Sequence, residues 1–164
     1  MHMKEPALKV ADEVWIATAL LHRENPDRLD FAAGEIIQRA SAENIAGELR
    51  KGVSVHAYLH CVANLPPNSA QYRMLYETKT GKSTRRLFRE NDEAHPKRHG
   101  KITPAPDEIP PKYRYLLDWY RSEYAPPAED AWLRSVVEMI GSGKDVFAGA
   151  NPDEYVRRLR EGWE

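Results

Sequence analysis

Two histidine pairs and one cysteine are the residues of this chain whose spacing first invites chemistry. His56 and His60 stand four apart, Cys61 follows directly, and His95 and His99 repeat the spacing. On a helix an i,i+4 histidine pair is good two-ligand geometry for zinc. The surroundings argue against a metal. Pro96 follows His95 and disfavours a helix there, so the second pair has no reason to converge on the first. Cys61 lies about 100° round from His60 on an ideal helix, toward the apolar boundary. The expectation is no metal and no cofactor. Other catalytic patterns are missing: no glycine-rich phosphate loop, no elbow around a nucleophilic serine, no HExxH. The run GSGK at 141–144 lacks the glycine spacing and the preceding strand of a phosphate loop. Nuclease chemistry needs acids and a lysine gathered around a metal, whereas the carboxylates here are scattered along helices. A binding protein is expected, not an enzyme.

The second feature is charge. The net charge is −1, but residues 71–101 hold 9 Lys/Arg against 4 Asp/Glu, while 1–70 hold 7 against 9 and 102–164 hold 8 against 12. A basic block between two acidic ones is the asymmetry expected of a surface that meets a polyanion. Its centre, 79–86, carries Lys79, Lys82, Arg85 and Arg86 with small hydroxyl residues between them, which leaves room for phosphate approach. If about five cations in this region engage phosphates, log K falls with log[salt] at a slope of roughly −4 to −5.

The elements that must position these residues follow from periodicity. Residues 9–23 read as a helix, with Val10, Val14, Ala17 and Leu21 at helical spacing and Asn25 and Pro26 ending it. A second helix is expected over 33–39 or slightly beyond. Glu35 is placed as a capping-box acid, although Ala32 cannot complete the box. Ser54 reads as the N-cap of a third helix running to about Asn64, before Pro66 and Pro67. Val55, Leu59 and Val62 define its inner face. Ser54, His56, Ala57, His60 and Asn64 then face outward, able to touch base edges or phosphates. Runs 72–78 and 84–89 read as strands joined by a loop at Gly81.

Three helices followed by a basic hairpin is the order of a winged helix, with the third helix in the major groove. The stretch GVSVHAYLHCVANLPPN (52–68) with YRMLY (72–76) resembles an uncharacterised prokaryotic winged-helix-like family, found alone or fused to restriction-type and other defence proteins. The resemblance spans roughly residues 7–103, ends at GKITP (100–104), and implies a fold without an activity.

Beyond it, 104–127 is expected to be a proline-rich linker and connecting helix, and 128–164 a C-terminal arm. The fold class expected is mainly α with a β-hairpin: a winged helix-turn-helix domain over 1–103 plus a helical arm. The last 46 residues hold Trp119, Tyr120, Tyr124, Trp132, Phe147, Tyr155 and Trp163. A helix over 129–140 and a short one starting at Asn151 and Pro152 are expected. About ten residues of helix are marginal alone in water, and aromatic anchors rimmed by arginine are typical of interfaces.

The runs GSGKDVF (141–147) and DEYVRRLREGW (153–163) resemble the tail of VapB-type antitoxins, over about residues 133–164. That resemblance implies a partner, a PIN-domain ribonuclease toxin wrapped by the tail. It also implies a tail cation near the toxin's acidic pocket, for which Lys144, Arg157, Arg158 and Arg160 are candidates. Phe147, Tyr155, Leu159 and Trp163 would be the apolar anchors. Such antitoxins usually carry a small dimeric DNA-binding domain of another fold, a departure that leaves operator geometry open.

The combined expectation is a type II antitoxin and DNA-binding autoregulator. The competing expectation is a non-enzymatic interaction module of a prokaryotic defence system. A metal-dependent enzyme using the histidines is a third. With one cysteine, no apolar run near 20 residues and no apolar leader at the N-terminus, a cytoplasmic location without membrane contact is the default.

Overall fold

In the computed structural model, which describes residues 7–67, 70–126, 128–142 and 157, the first helix is the axis of the compact unit that ends at Ala125. This helix, α1 (Val10–Glu24), is buried on nearly every side between Ala11 and Leu20, and not only along its apolar stripe. Two carboxylates are buried with it. Asp12 pairs with Lys101 at 2.7 Å and Glu13 with Arg50 at 2.6 Å, and without those partners neither charge could be buried cheaply. Asn25 ends α1 by donating its side-chain amide to the Leu21 carbonyl at 3.0 Å, just before Pro26.

A two-residue strand, β1 (Phe31–Ala32), leads into α2 (Ala33–Glu43). The half-box is realised: Glu35 accepts the Ala32 amide at 2.8 Å and also forks Arg28 at 2.8 and 2.9 Å. Asn44, in the left-handed region at φ 54°, closes the helix. Next come α3 (Gly52–Val55), which runs on as a π-helical turn (His56–His60), then β2 (Leu75–Glu77) and β3 (Thr84–Leu87). The sheet is antiparallel in the order β1-β3-β2, with Phe31 opposite Arg85, Leu75 opposite Leu87 and Tyr76 opposite Arg86. The hairpin strands are shorter than the sequence runs because their outer residues bond elsewhere. The Arg73 amide goes to Lys101, and the Met74 amide to Cys61.

Residues 104–125 are not a linker. A 3-10 turn (Pro111–Tyr113) leads into α4 (Tyr115–Trp119) and a second π-helical turn (Tyr120–Tyr124). Ile109, Tyr113, Leu116, Leu117 and Tyr120 are buried in the same core as Trp15 and Phe31. Burying each such side chain contributes roughly 1.5–3 kcal/mol, enough to hold down a strap whose prolines carry little entropy to lose. Tyr113 donates to Glu43 at 2.6 Å, Tyr124 to the Leu87 carbonyl at 2.9 Å, and Tyr120 to the Phe88 carbonyl. At Gly100 a Cβ would run into the Gln71 carbonyl oxygen, so only glycine lets the chain pass Gln71 there. Trp119, Tyr120 and Tyr124 therefore belong to the first unit and not to an arm.

That first compact unit ends at Ala125 and a second begins at Pro126. In the second, α5 (Ala128–Ser142) is the described element, and Arg157 is helical. The architecture is thus helix-rich, with five α-helices and one three-stranded antiparallel sheet among the described residues. No described helix is long and apolar enough to cross a membrane.

Candidate nucleic-acid and partner-binding surfaces

The α3 segment sits closer to α1 than its large apolar residues would allow if they faced inward. Small residues make the contact instead. A Cβ on Gly52 would already touch Val10 at 3.4 Å, and Val53, Ala57 and Cys61, spaced by four, are fully buried. The π turn, closed by the Cys61 amide on the His56 carbonyl at 3.0 Å, widens the helix and keeps that spacing on one side. Of the face expected inside, Val62 is buried as expected, and the other two residues are turned out. Val55 and Leu59 are exposed, together with Ser54 and Tyr58. Ala57, expected at a base edge, is sealed in the core.

The other outward candidates are also engaged. Asn64 donates Nδ2 to the Glu77 carbonyl at 3.0 Å and accepts the Glu77 amide at 2.8 Å, lengthening β2 by one rung. The His56 Nδ1–H donates to the Gly52 carbonyl at 2.8 Å, and burial above all lowers its pKa. His60 lies edge-on to it at 4.9 Å. Burial drives the Cys61 thiol pKa up, out of reach of a thiolate. Among the described residues no group of three His, Cys, Asp or Glu side chains could hold a metal ion.

The basic block is largely turned inward. Arg85 is buried: Nε and Nη2 donate to the Ala57 and Tyr58 carbonyls at 3.3 Å, and Nη1 pairs with Glu77 at 3.1 Å. Arg86 forks Asp92 at 2.7 and 2.6 Å and lies over the Tyr76 ring. Both were expected on phosphates; in the fold they tie the hairpin to α3 and to the following turn. Arg73 donates to the Gly100 carbonyl, and Lys101 pairs with Asp12 and Glu108.

Arg98, which no sequence pattern singles out, is 3 % exposed and has no carboxylate partner among the described residues. Its donors instead reach five carbonyls, those of Leu59, His60, Leu65, Pro66 and Tyr72, at 2.7–3.3 Å. All five guanidinium N–H groups are thereby used, gathering the orphan carbonyls where the π turn ends. No local pattern announces such a residue, because its partners are backbone oxygens more than 25 positions away. Of the nine cations in 71–101, Lys79, Lys82, Arg89 and Lys97 remain exposed. Lys79 and Lys82 flank the hairpin tip, where Ser83 takes a left-handed φ of 55°.

On α5 the pattern is reversed. Trp132, Leu133, Val137, Met139 and Ile140 are 52–68 % exposed, so a helix of 15 residues carries its large apolar side chains into solvent. Several large apolar side chains exposed on one short helix are more than the scattered single ones found on most surfaces. Of the tail candidates, Arg157 is exposed. Lys144, Phe147, Tyr155, Arg158, Leu159, Arg160 and Trp163 lie outside the described residues. Comparison with protein-family models, curated proteins and solved structures found no match.

Proposed function

We propose that this chain is a non-enzymatic antitoxin and autoregulator: a winged-helix body that binds duplex DNA, followed by an arm that neutralises a PIN-type ribonuclease. The single observation that carries the reading is the exposed apolar surface of α5 in a unit separate from the folded body. Supporting the winged-helix part is the order helix, short strand, helix, helix, hairpin, with β1 laid against β3. On the outward face of α3, Ser54 can hydrogen-bond a base or phosphate. Val55 and Leu59 offer methyl groups to thymine. Lys79 and Lys82 reach the backbone. With the neighbouring arginines engaged internally, the salt slope expected is roughly −2 to −3.

Tagged full-length chain and a chain ending at Ala125, each used for capture from the native host, test the arm. A nuclease-like protein recovered only with the full chain is the expected result; equal recovery, or none, rejects the neutraliser role. One observation favours the second reading, an interaction module of a defence system. Val55, Tyr58 and Leu59 give α3 an apolar outer face where a DNA reader usually has more polar groups. Duplex binding that is weak and insensitive to salt would favour that reading.

A further inference from the structure

A cleft of about 610 Å³ opens in the first unit where the end of α1, the 26–30 loop, the base of the hairpin and the Tyr120–Tyr124 turn meet. This volume suits a small ligand. The outer face of α3 does not line it. Four guanidiniums do, against the carboxylates of Asp30 and Glu123.

The four arginines are not equivalent. Arg28 is held by Glu35 and Arg86 by Asp92, each through two hydrogen bonds. Arg23 and Arg89 have no ion-pair partner among the described residues. Each lies instead over a tyrosine ring, Arg23 on Tyr115 at 4.9 Å and Arg89 on Tyr124 at 4.4 Å. A guanidinium stacked in this way is held in orientation while its N–H edge stays free for an anion. Asp30 keeps its charge but forms no ion pair with these two: its carboxylate accepts the hydroxyls of Thr78 and Thr80 on the hairpin side.

The back wall is uncharged and aromatic. His22 accepts the Leu87 amide at Nε2 and is held neutral at physiological pH, its pKa pushed down to about 4 by burial and then by Arg89 and Arg86. Trp119 lies at the wall, half-buried, with its ring 5.4 Å from that of Tyr124. Fixed, unpaired guanidiniums and an indole around one cleft ask for a ligand with an anionic head and a planar body.

We infer that this cleft binds a phosphorylated planar ligand of mononucleotide size, with its phosphate on Arg23 and Arg89 and its ring against Trp119. A fork of N–H donors matches phosphate oxygens in pairs, and base–aromatic stacking tolerates any base. The same 5′-phosphate chemistry could come from a free nucleotide or from the end of a nucleic-acid strand.

Calorimetric titration of the full chain separates these sources and the alternatives. The probes are a nucleoside 5′-monophosphate, the nucleoside, inorganic phosphate, an acidic peptide, and a short single strand with and without its 5′-phosphate. The monophosphate should saturate well below about 5 mM, more tightly than phosphate alone, with the nucleoside weaker by about tenfold or more. A strand that binds only when 5′-phosphorylated, alongside the monophosphate, also supports the inference and names the strand end as a source.

The inference is overturned by any of three outcomes. The monophosphate fails to saturate by about 5 mM, it binds no better than the nucleoside, or only the peptide or an unphosphorylated strand binds. Arg23→Ala and Arg89→Ala should each weaken the monophosphate about tenfold and leave the nucleoside unchanged. Trp119→Leu should weaken the monophosphate about tenfold and leave inorganic phosphate unchanged, a split that loss of folding would not produce. Equal losses for all probes in these variants would reject the assignment.

Discussion

The segment 71–101 and the helix α5 treat their side chains in opposite ways. The first is the most basic stretch of the chain, yet Arg85 and Arg98 are buried, Arg86 is clamped by Asp92, and Lys101 closes an ion-pair cluster on α1. The second is rich in large apolar residues, yet Trp132, Val137, Met139 and Ile140 face solvent. Charge placed inside and apolar surface placed outside both run against the usual free-energy gradient. The first is tolerated because every buried guanidinium is satisfied by carbonyls or a carboxylate. On α5 the large apolar side chains stay largely exposed, whereas Arg85, Arg86, Arg98 and Lys101 are already engaged inside the fold.

The largest effect expected from this contrast is at Arg98. Arg98→Met removes five donors and strands buried carbonyls at the end of the π turn. Unfolding in urea should show a loss of about 3–5 kcal/mol, and Arg98→Lys should recover only part of it because an ammonium has three donors. A loss under about 1 kcal/mol would mean that water can replace this network.

Next in size is a pH effect at the base of the hairpin. His22 takes up a proton near 6.5 in the unfolded chain but only near 4 when folded. Between those values the unfolded state binds more protons, so stability falls as the pH drops from 6.5 toward 4, by on the order of 3 kcal/mol in total. His56, also lowered by burial, adds to this with the same sign. In His22→Gln, thermal unfolding followed from pH 7 to 5 should lose most of that slope; an unchanged slope would assign it elsewhere.

The outward apolar face supplies the third test. Trp132→Asp with Val137→Asp should cut capture of the partner by at least about 30-fold. Unfolding of the first unit should shift by no more than about 2 °C, since these positions are exposed in a unit of their own. The smallest effect belongs to the hairpin tip. Lys79→Gln with Lys82→Gln should flatten the salt dependence of duplex binding by about 2 in slope without changing stability. Arg85→Met, six residues from Lys79, should do the reverse: about 2–3 kcal/mol of stability lost and a slope within about 0.5 of the parent. Equal behaviour of the lysines and Arg85 would erase the distinction between free and engaged cations.

Local order along the chain was readable in advance where it depends on neighbours in sequence. The first helix, its stop at Asn25 and Pro26, the half-made box at Glu35 and the hairpin around Gly81 came from periodicity and turn chemistry, and the structure places them within a few residues. The third helix was misjudged because its spacing admits two inward faces. Val55 and Leu59 belong to the more apolar one and are turned out, Val62 is buried as expected, and the side facing the core carries Val53, Ala57 and Cys61, with Gly52 against Val10. The prolines of 104–111 read as a linker for a related reason: few apolar residues are visible nearby, while Tyr113, Leu116 and Tyr120 just beyond pull the whole strap onto the core.

Composition and spacing alone determined that this chain has a helix-rich body with a small antiparallel hairpin, a basic middle and an apolar C-terminal helix. Those properties are sums over neighbours, and neighbours are given by sequence. Tertiary structure alone decided which arginines are free. Arg86 meets Asp92 six positions on, but Arg85 meets Ala57, Arg98 meets Leu59 and Lys101 meets Asp12 across 28, 39 and 89 positions. A cation is captured by whichever carbonyl or carboxylate the fold brings within hydrogen-bonding distance, and that proximity is a property of packing, not of order along the chain.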